Sequence, residues 1–299
     1  AAAGGGGVRR PASVRRLATW LGGAPRHPFV VDVHRTCVVT QPWCSVDRVD
    51  SDVTERALLN PANSELAGTQ RAYFPRGGPV PPPPPPGLQA SSSGWGGLDA
   101  GPGMLYPAQV VDGLTHMHAG SELRAALAAQ PSASADGKRC HIGGAVLSRP
   151  FRLAHTFDII AHTPTPFWPS GSVEGSREWQ RRLNLCYVAS ILALVERAPL
   201  GQVWHAETTD ATRWCDEGGA NVGAPRQLAV ASPLLGAGAA GAPIGAAAEV
   251  AVGAIAQLSE CDLGRPLHVR LALSDQAALE AVEQALAEEH RGRGRLFLA

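Results

Sequence analysis

Short β-branched, apolar runs alternate along this chain with longer runs whose apolar residues recur at helical spacing. That alternation constrains the fold more than any other feature. "FVVDV" (29–33), "TCVVT" (36–40), "RALLN" (56–60), "GGAVLS" (143–148), "TFDIIAHT" (156–163), "QLAVASPLL" (227–235) and "PLHVRLALS" (266–274) read as strands. "SELRAALAAQ" (121–130) reads as a short helix with Ser121 as its cap. In "SREWQRRLNLCYVASILALVER" (176–197), Leu183, Cys186, Tyr187, Ser190, Ile191, Leu194 and Val195 mark one helix face. "IGAAAEVAVGAIAQLSE" (244–260) and "DQAALEAVEQALAEEH" (275–290) are further helices, the last opening on Asp275. Strand and helix in alternation predict an α/β sheet covered on both faces, with ligands outside the carboxyl ends of its strands.

Two segments interrupt the pattern. Residues 69–107 are rich in Pro, Gly and Ser and include six consecutive prolines, Pro81–Pro86, which cannot join a sheet. They read as a polyproline or irregular surface insertion. Residues 198–226 form a second irregular insertion, with Trp204 and Trp214 as candidate anchors for a protein partner. Residues 1–28 are Arg-rich and free of acids. They resemble either an organelle transit peptide, for mitochondrion or plastid, or a basic tail on a protein of the cytoplasm. The body of the domain then spans 29–290, with 291–299 as a tail.

Composition excludes several classes. Charged residues make up 17% of the 299 residues and the net charge is zero, which argues against a nucleic-acid surface. No apolar run is long enough to span a bilayer. The six cysteines carry no C-x-x-C spacing, so they read mainly as buried thiols in a reducing compartment rather than as zinc ligands or staples. His116 and His118 lie close together, yet no acid or third ligand at matching spacing accompanies them as a metal site. No cofactor is expected.

The stretches that carry chemistry fall at strand ends. "ALLNPANSEL" (57–66) ends a strand in an Asn60/Asn63 pair, and an amide offers a sugar hydroxyl both a donor and an acceptor. "VVDGLTHMHAGSEL" (110–123) places Asp112-Gly113 before a helical segment. "SPLLGAGAAGAP" (232–243) is a Gly-rich turn from a strand into a helix, where backbone N–H groups and the helix dipole suit a diphosphate. In so Ala- and Gly-rich a chain, a purely structural turn is the alternative.

Taken in order, "LLNPANSELAG", "VVDGLTHMHAGSEL", "CHIGGAVLS", "FDIIAHTPTPFW" and "LAVASPLLGAGAAGAP" resemble the macro domain, an ADP-ribose-binding module, over about Val38 to His290. The resemblance implies a three-layer α/β/α fold with a central mixed sheet. It implies Asn63 on the ribose hydroxyls, Asn60 in support, and Asp112 positioning the attacking water in hydrolytic members, with Gly113 beside it. Gly236, Ala237, Gly238, Ala239, Ala240 and Gly241 would hold the diphosphate, and Asp50, with Asp47 as second choice, the adenine. The chain departs from the family where "YPAQ" (106–109) replaces glycines before V-D-G, and where Ala239-Ala240 replaces an aromatic. Three functions stay open at this point. One is hydrolysis of mono-ADP-ribosyl or O-acetyl-ADP-ribose esters. Another is non-catalytic reading of ADP-ribose or ADP-ribosylated protein. The third is a structural subunit docking through the proline-rich and Trp-containing insertions.

Overall fold

The computed structural model describes residues 29–43, 54–69, 74–77, 104–169, 173–205 and 226–293. The leader, Asp47, Asp50, the prolines 81–86, Trp214 and the tail beyond 293 lie outside the described residues. One seven-stranded mixed sheet runs in the order β1 (Phe29–His34), β9 (Leu267–Ala272), β8 (Gln227–Ser232), β2 (Thr54–Ala62), β6 (Ile159–Pro164), β5 (Gly144–Ser148), β7 (Val203–His205). The first five are mutually parallel; β5 runs antiparallel to β6, and β7 antiparallel to β5. A two-residue pair, β3 (Phe74–Pro75) with β4 (Met104–Leu105), stands apart from it. "RALLN" and "QLAVASPLL" are neighbours in this sheet, with Ala57 opposite Val230.

Side-chain alternation sorts the strands' two faces. Val31, Val33, Ala57, Leu59, Val230, Val269 and Leu271 face a core built with α3 (Val173–Glu196), α4 (Ile244–Ser259) and α5 (Gln276–Arg293). Leu58, Val146, Ile160 and Ala231 face the opposite core. Residues of α1 (Val111–Ala119), α2 (Ser121–Ala128) and the segment around Val38 and Val39 close that side. Burial on both faces is why the central strands read as unbroken apolar runs. All seven positions of the helix face read in α3 are buried. Among the described residues no helix is long and apolar enough to cross a membrane. Cys37, Cys140, Cys186 and Cys261 are free thiols.

Several local expectations need correction. "TCVVT" forms bends and a turn rather than a strand, with the Gln41 N–H donating to the Cys37 carbonyl at 2.9 Å. Its valines are apolar because they pack down onto the sheet. Ser121 is the first residue of α2, and Gly120 stands at the cap with a positive φ and no side-chain cap bond. Asp112 and Gly113 do not precede the helix but sit in the first turn of α1. The second insertion is not wholly irregular, since β7 adds an edge strand to β5. Asp275 does open α5, its carboxylate accepting the Ala277 N–H at 3.0 Å.

Candidate functional site

Because β1, β9, β8, β2 and β6 are parallel, Asn60, His162 and the loop after Ser232 gather at one edge of the sheet. Asn60 alternates with Leu59 and so points to the α1 side. Its Nδ2 donates to Asp112 Oδ1 at 2.9 Å and lies 3.1 Å from His162 Nδ1. His162 Nε2 in turn meets Ser148 Oγ at 2.8 Å, and that hydroxyl donates to the Arg149 carbonyl. This chain fits a neutral His162 with its proton on Nε2, so that Nδ1 accepts from Asn60. The opposite amide orientation would turn Asn60 Oδ1 onto a carboxylate. Burial pulls His162 down to about 3, and the nearby His116 pulls the same way, so His162 is neutral at physiological pH.

Asp112 is buried. Burial raises its carboxyl to about 6, against the hydrogen bonds from Asn60 and from Thr69 Oγ1, 3.4 Å away, which favour the anion. His116, four residues on along α1, brings Nε2 to 3.6 Å from Asp112 Oδ1. Burial holds this imidazole down at about 4, and the positive Arg124 acts in the same direction. Among the described residues neither nitrogen of His116 nor Asn60 Oδ1 has a hydrogen-bond partner. Unsatisfied buried polar atoms are costly and call for an explanation. Here they surround one carboxyl group poised near neutrality. His116 was legible only as a possible metal ligand; its i, i+4 spacing from Asp112 was the signal that tied it to that carboxyl. His118 is exposed.

The segment that replaces the family's glycines is ordered by its own bonds. Pro107–Gln109 forms a 3-10 turn, closed by Gln109 N–H to Tyr106 O at 2.9 Å and Tyr106 N–H to Gln109 Oε1 at 2.8 Å. Helix α1 packs against this turn at Gly113, where an added Cβ would come 2.1 Å from the Pro107 carbonyl oxygen. Gly113→Ala should therefore cost roughly 1–3 kcal/mol, the range for overpacking, and displace Asp112. Urea denaturation of the variant checks this.

The loop after β8 is held by its carbonyls. Arg76 Nη2 donates to Ala237 O at 2.7 Å, Gly77 N–H to Ala239 O at 2.9 Å, and Trp168 N–H to Ala240 O at 2.9 Å. Tyr187 Oη accepts the Leu235 N–H at 2.8 Å. Among the described residues no hydrogen bond uses the N–H groups of Gly236, Ala237, Gly238, Ala239 or Ala240. Carbonyls tied back and amides left over, ahead of the α4 N-terminus, are an arrangement chemically suited to an anion. Gly241, at φ +78°, lies so close to Gly77 that its Cβ would stand 2.3 Å from the Gly77 Cα. The 74–77 arm thus clasps the loop.

Asn60 and Asp112 come together, and the Gly-rich loop leaves the neighbouring strand. Asn63 is exposed and engaged in its own turn: Nδ2 donates to Gly68 O at 3.0 Å, and Oδ1 accepts the Ala67 N–H at 3.1 Å. It makes no hydrogen bond to Asp112. Asp50 and Asp47 fall outside the described residues, so no adenine contact is assigned. Trp204 lies in β7, its indole donating to Glu196 at 3.1 Å. Among the described residues no three His, Cys, Asp or Glu side chains form a metal-binding group.

A three-layer α/β/α fold with a mixed sheet, a Gly-rich loop before α4 and a buried Asn–Asp pair at the parallel-strand edge defines the class. The family model described as "Macro domain" matches residues 103–251, and the chain belongs to that family. Strands β1 and β2 and the Asn60–Asn63 turn precede the matched span. Comparison with curated proteins finds no match. Among solved structures, the Oceanobacillus iheyensis macrodomain with MES bound is 17% identical, with a TM-score of 0.52 over 92% of this chain and 98% of that one. The same macrodomain with ADP gives the same values. A mutant of it with ADPR is 18% identical, with a TM-score of 0.52 over 92% and 100%. These likenesses concern the fold.

Proposed function

We propose that this protein binds ADP-ribose across the carboxyl edge of the sheet and hydrolyses a bond at the distal ribose of a mono-ADP-ribosyl or O-acetyl ester. The observation that carries this reading is one juxtaposition on adjacent strand ends. A loop with five backbone N–H groups unengaged among the described residues lies beside a buried carboxyl group whose pKa is about 6. The diphosphate lies against the amides of Gly236–Ala240, and the ribose reaches Asp112. A base with a pKa near 6 is ionised at neutral pH and still able to take a proton from water. Asn60 keeps Asp112 aimed, since its NH2 is oriented by both Asp112 and His162. The neutral His116 flanks the same carboxyl group.

Calorimetric titration with ADP-ribose, followed by a turnover assay on mono-ADP-ribosylated protein, tests the two halves separately. Gly238 is the sharpest probe of the first half, because nothing lies within 4 Å of the place its Cβ would take. Gly238→Glu should fold normally and lose measurable ADP-ribose binding, as a carboxylate enters the diphosphate site. Unchanged affinity would remove the loop from the ligand's path. A second reading, an ADP-ribose reader without turnover, rests on Asn63, whose amide is already engaged within its own turn.

A further inference from the structure

Beyond the Asn63 turn, between the 138–142 segment and the first half of α3, lies a cavity of about 380 Å³ lined by Ser64, Lys138, His141, Ile142, Arg181 and Arg182. No acid lines it. The carboxylates paired with its cations are Asp136, 2.5 Å from Lys138 Nζ, and Glu178, which meets Arg181 and Arg182 at 2.9 and 2.6 Å. Three fixed cations thus face two carboxylates, with His141 in addition. Arg182 reaches Glu178 through Nε alone, so its terminal amino groups have no partner among the described residues.

The cavity is joined to the site by backbone. The Ser64 carbonyl, one residue past Asn63, accepts the N–H groups of Arg139 and Cys140 at 2.8 and 3.0 Å. Thr163 Oγ1, at the end of β6, donates to the carbonyl of Gly144, the first residue of β5, at 2.8 Å. Along the sheet edge the order is therefore Gly-rich loop on β8, Asn60 and Asp112 by β2, His162 on β6, then the cationic cavity beside β5.

We infer that this cavity is an acceptor subsite that takes the side-chain carboxylates of an acidic peptide flanking the ADP-ribosylated residue. The inference rests on the reading of the main site as ADP-ribose-binding. With the diphosphate on the loop and the ribose at Asp112, whatever is attached to the ribose leaves toward β5. There it meets guanidinium and ammonium groups, the partners best suited to carboxylates.

The test uses the full chain and three probes: a fluorescent hexaglutamate peptide, inorganic phosphate and free ADP-ribose. The peptide should bind, more weakly as ionic strength rises. The double variant Lys138→Ala/Arg182→Ala alters two exposed side chains and should lower peptide affinity at least about tenfold, with ADP-ribose affinity unchanged. No binding of the peptide by the wild-type chain, or equal binding by the variant, overturns the subsite. So does binding of phosphate with the same dependence on both cations while the peptide fails to bind. Failure to bind ADP-ribose with peptide binding intact counts against the main site alone.

Discussion

Asp112→Asn should lower turnover of a mono-ADP-ribosylated protein by about a hundredfold or more, the scale of a lost acid–base group. Affinity for ADP-ribose should change little, because the amides of the Gly-rich loop are untouched. In the wild type, kcat/KM should rise with pH through about 6, where the Asp112 carboxyl titrates. The same substitution should stabilise the protein. An unfolded Asp loses its proton near pH 3.9. The folded one keeps its proton to about pH 6. Between those values the unfolded chain binds fewer protons, so wild-type stability falls as pH rises and stays lowered above pH 6. An amide cannot ionise, so Asp112→Asn escapes this loss, on the order of 3 kcal/mol at pH 7.5. Urea melts at pH 5 and 7.5 read the gain, and a turnover assay reads the cost. A variant that keeps wild-type turnover would end the catalytic reading and leave the binding module.

Asp32→Ala should cost roughly 3–5 kcal/mol of stability, as breaking a buried ion pair does. Arg270 is fully buried, and its guanidinium forks onto Asp32, with Nε to Oδ1 at 3.0 Å and Nη2 to Oδ2 at 2.7 Å. Nη1 donates to the Pro42 carbonyl at 3.1 Å, and the group lies 5.4 Å from the Trp43 ring centroid. His34 and His268 each bring Nε2 to 3.0 Å from the same carboxylate. Burial alone would raise the Asp32 pKa, but the close His268 imidazole and the hydrogen bonds with His34 and Arg270 outweigh it and hold the carboxyl well below the usual range. Its folded pKa is depressed, so this stabilisation is complete above about pH 4 and drains away as pH falls below the unfolded value. The gap between wild type and Asp32→Ala should therefore be full at pH 7 and narrow in strong acid. Asp32→Leu combined with Arg270→Met should recover much of the loss, since replacing both partners leaves no orphaned charge.

Local pattern was enough for the architecture. β-branched runs and helical periodicity report which faces are buried, and burial is a property of each segment that its own residues encode. Hence "RALLN", "QLAVASPLL" and the face of α3 were readable one at a time. Their order along the chain pointed to the macro domain, and with it to Asp112 and the Gly-rich loop. "TCVVT" was misread because apolar β-branched residues bury equally well in a loop that covers a sheet. The tertiary structure decided what depends on distance across the chain. Asn60 and Asp112 are 52 residues apart, and Asp32 and Arg270 are 238 apart. No spacing rule relates such pairs. Only sheet order and strand register bring them within hydrogen-bonding reach. The pKa of Asp112 is likewise set by burial against Asn60 of β2 and Thr69, and the cationic cavity by elements from three separate parts of the chain. Electrostatic energy depends on separation and local dielectric, and both exist only once the layers have closed.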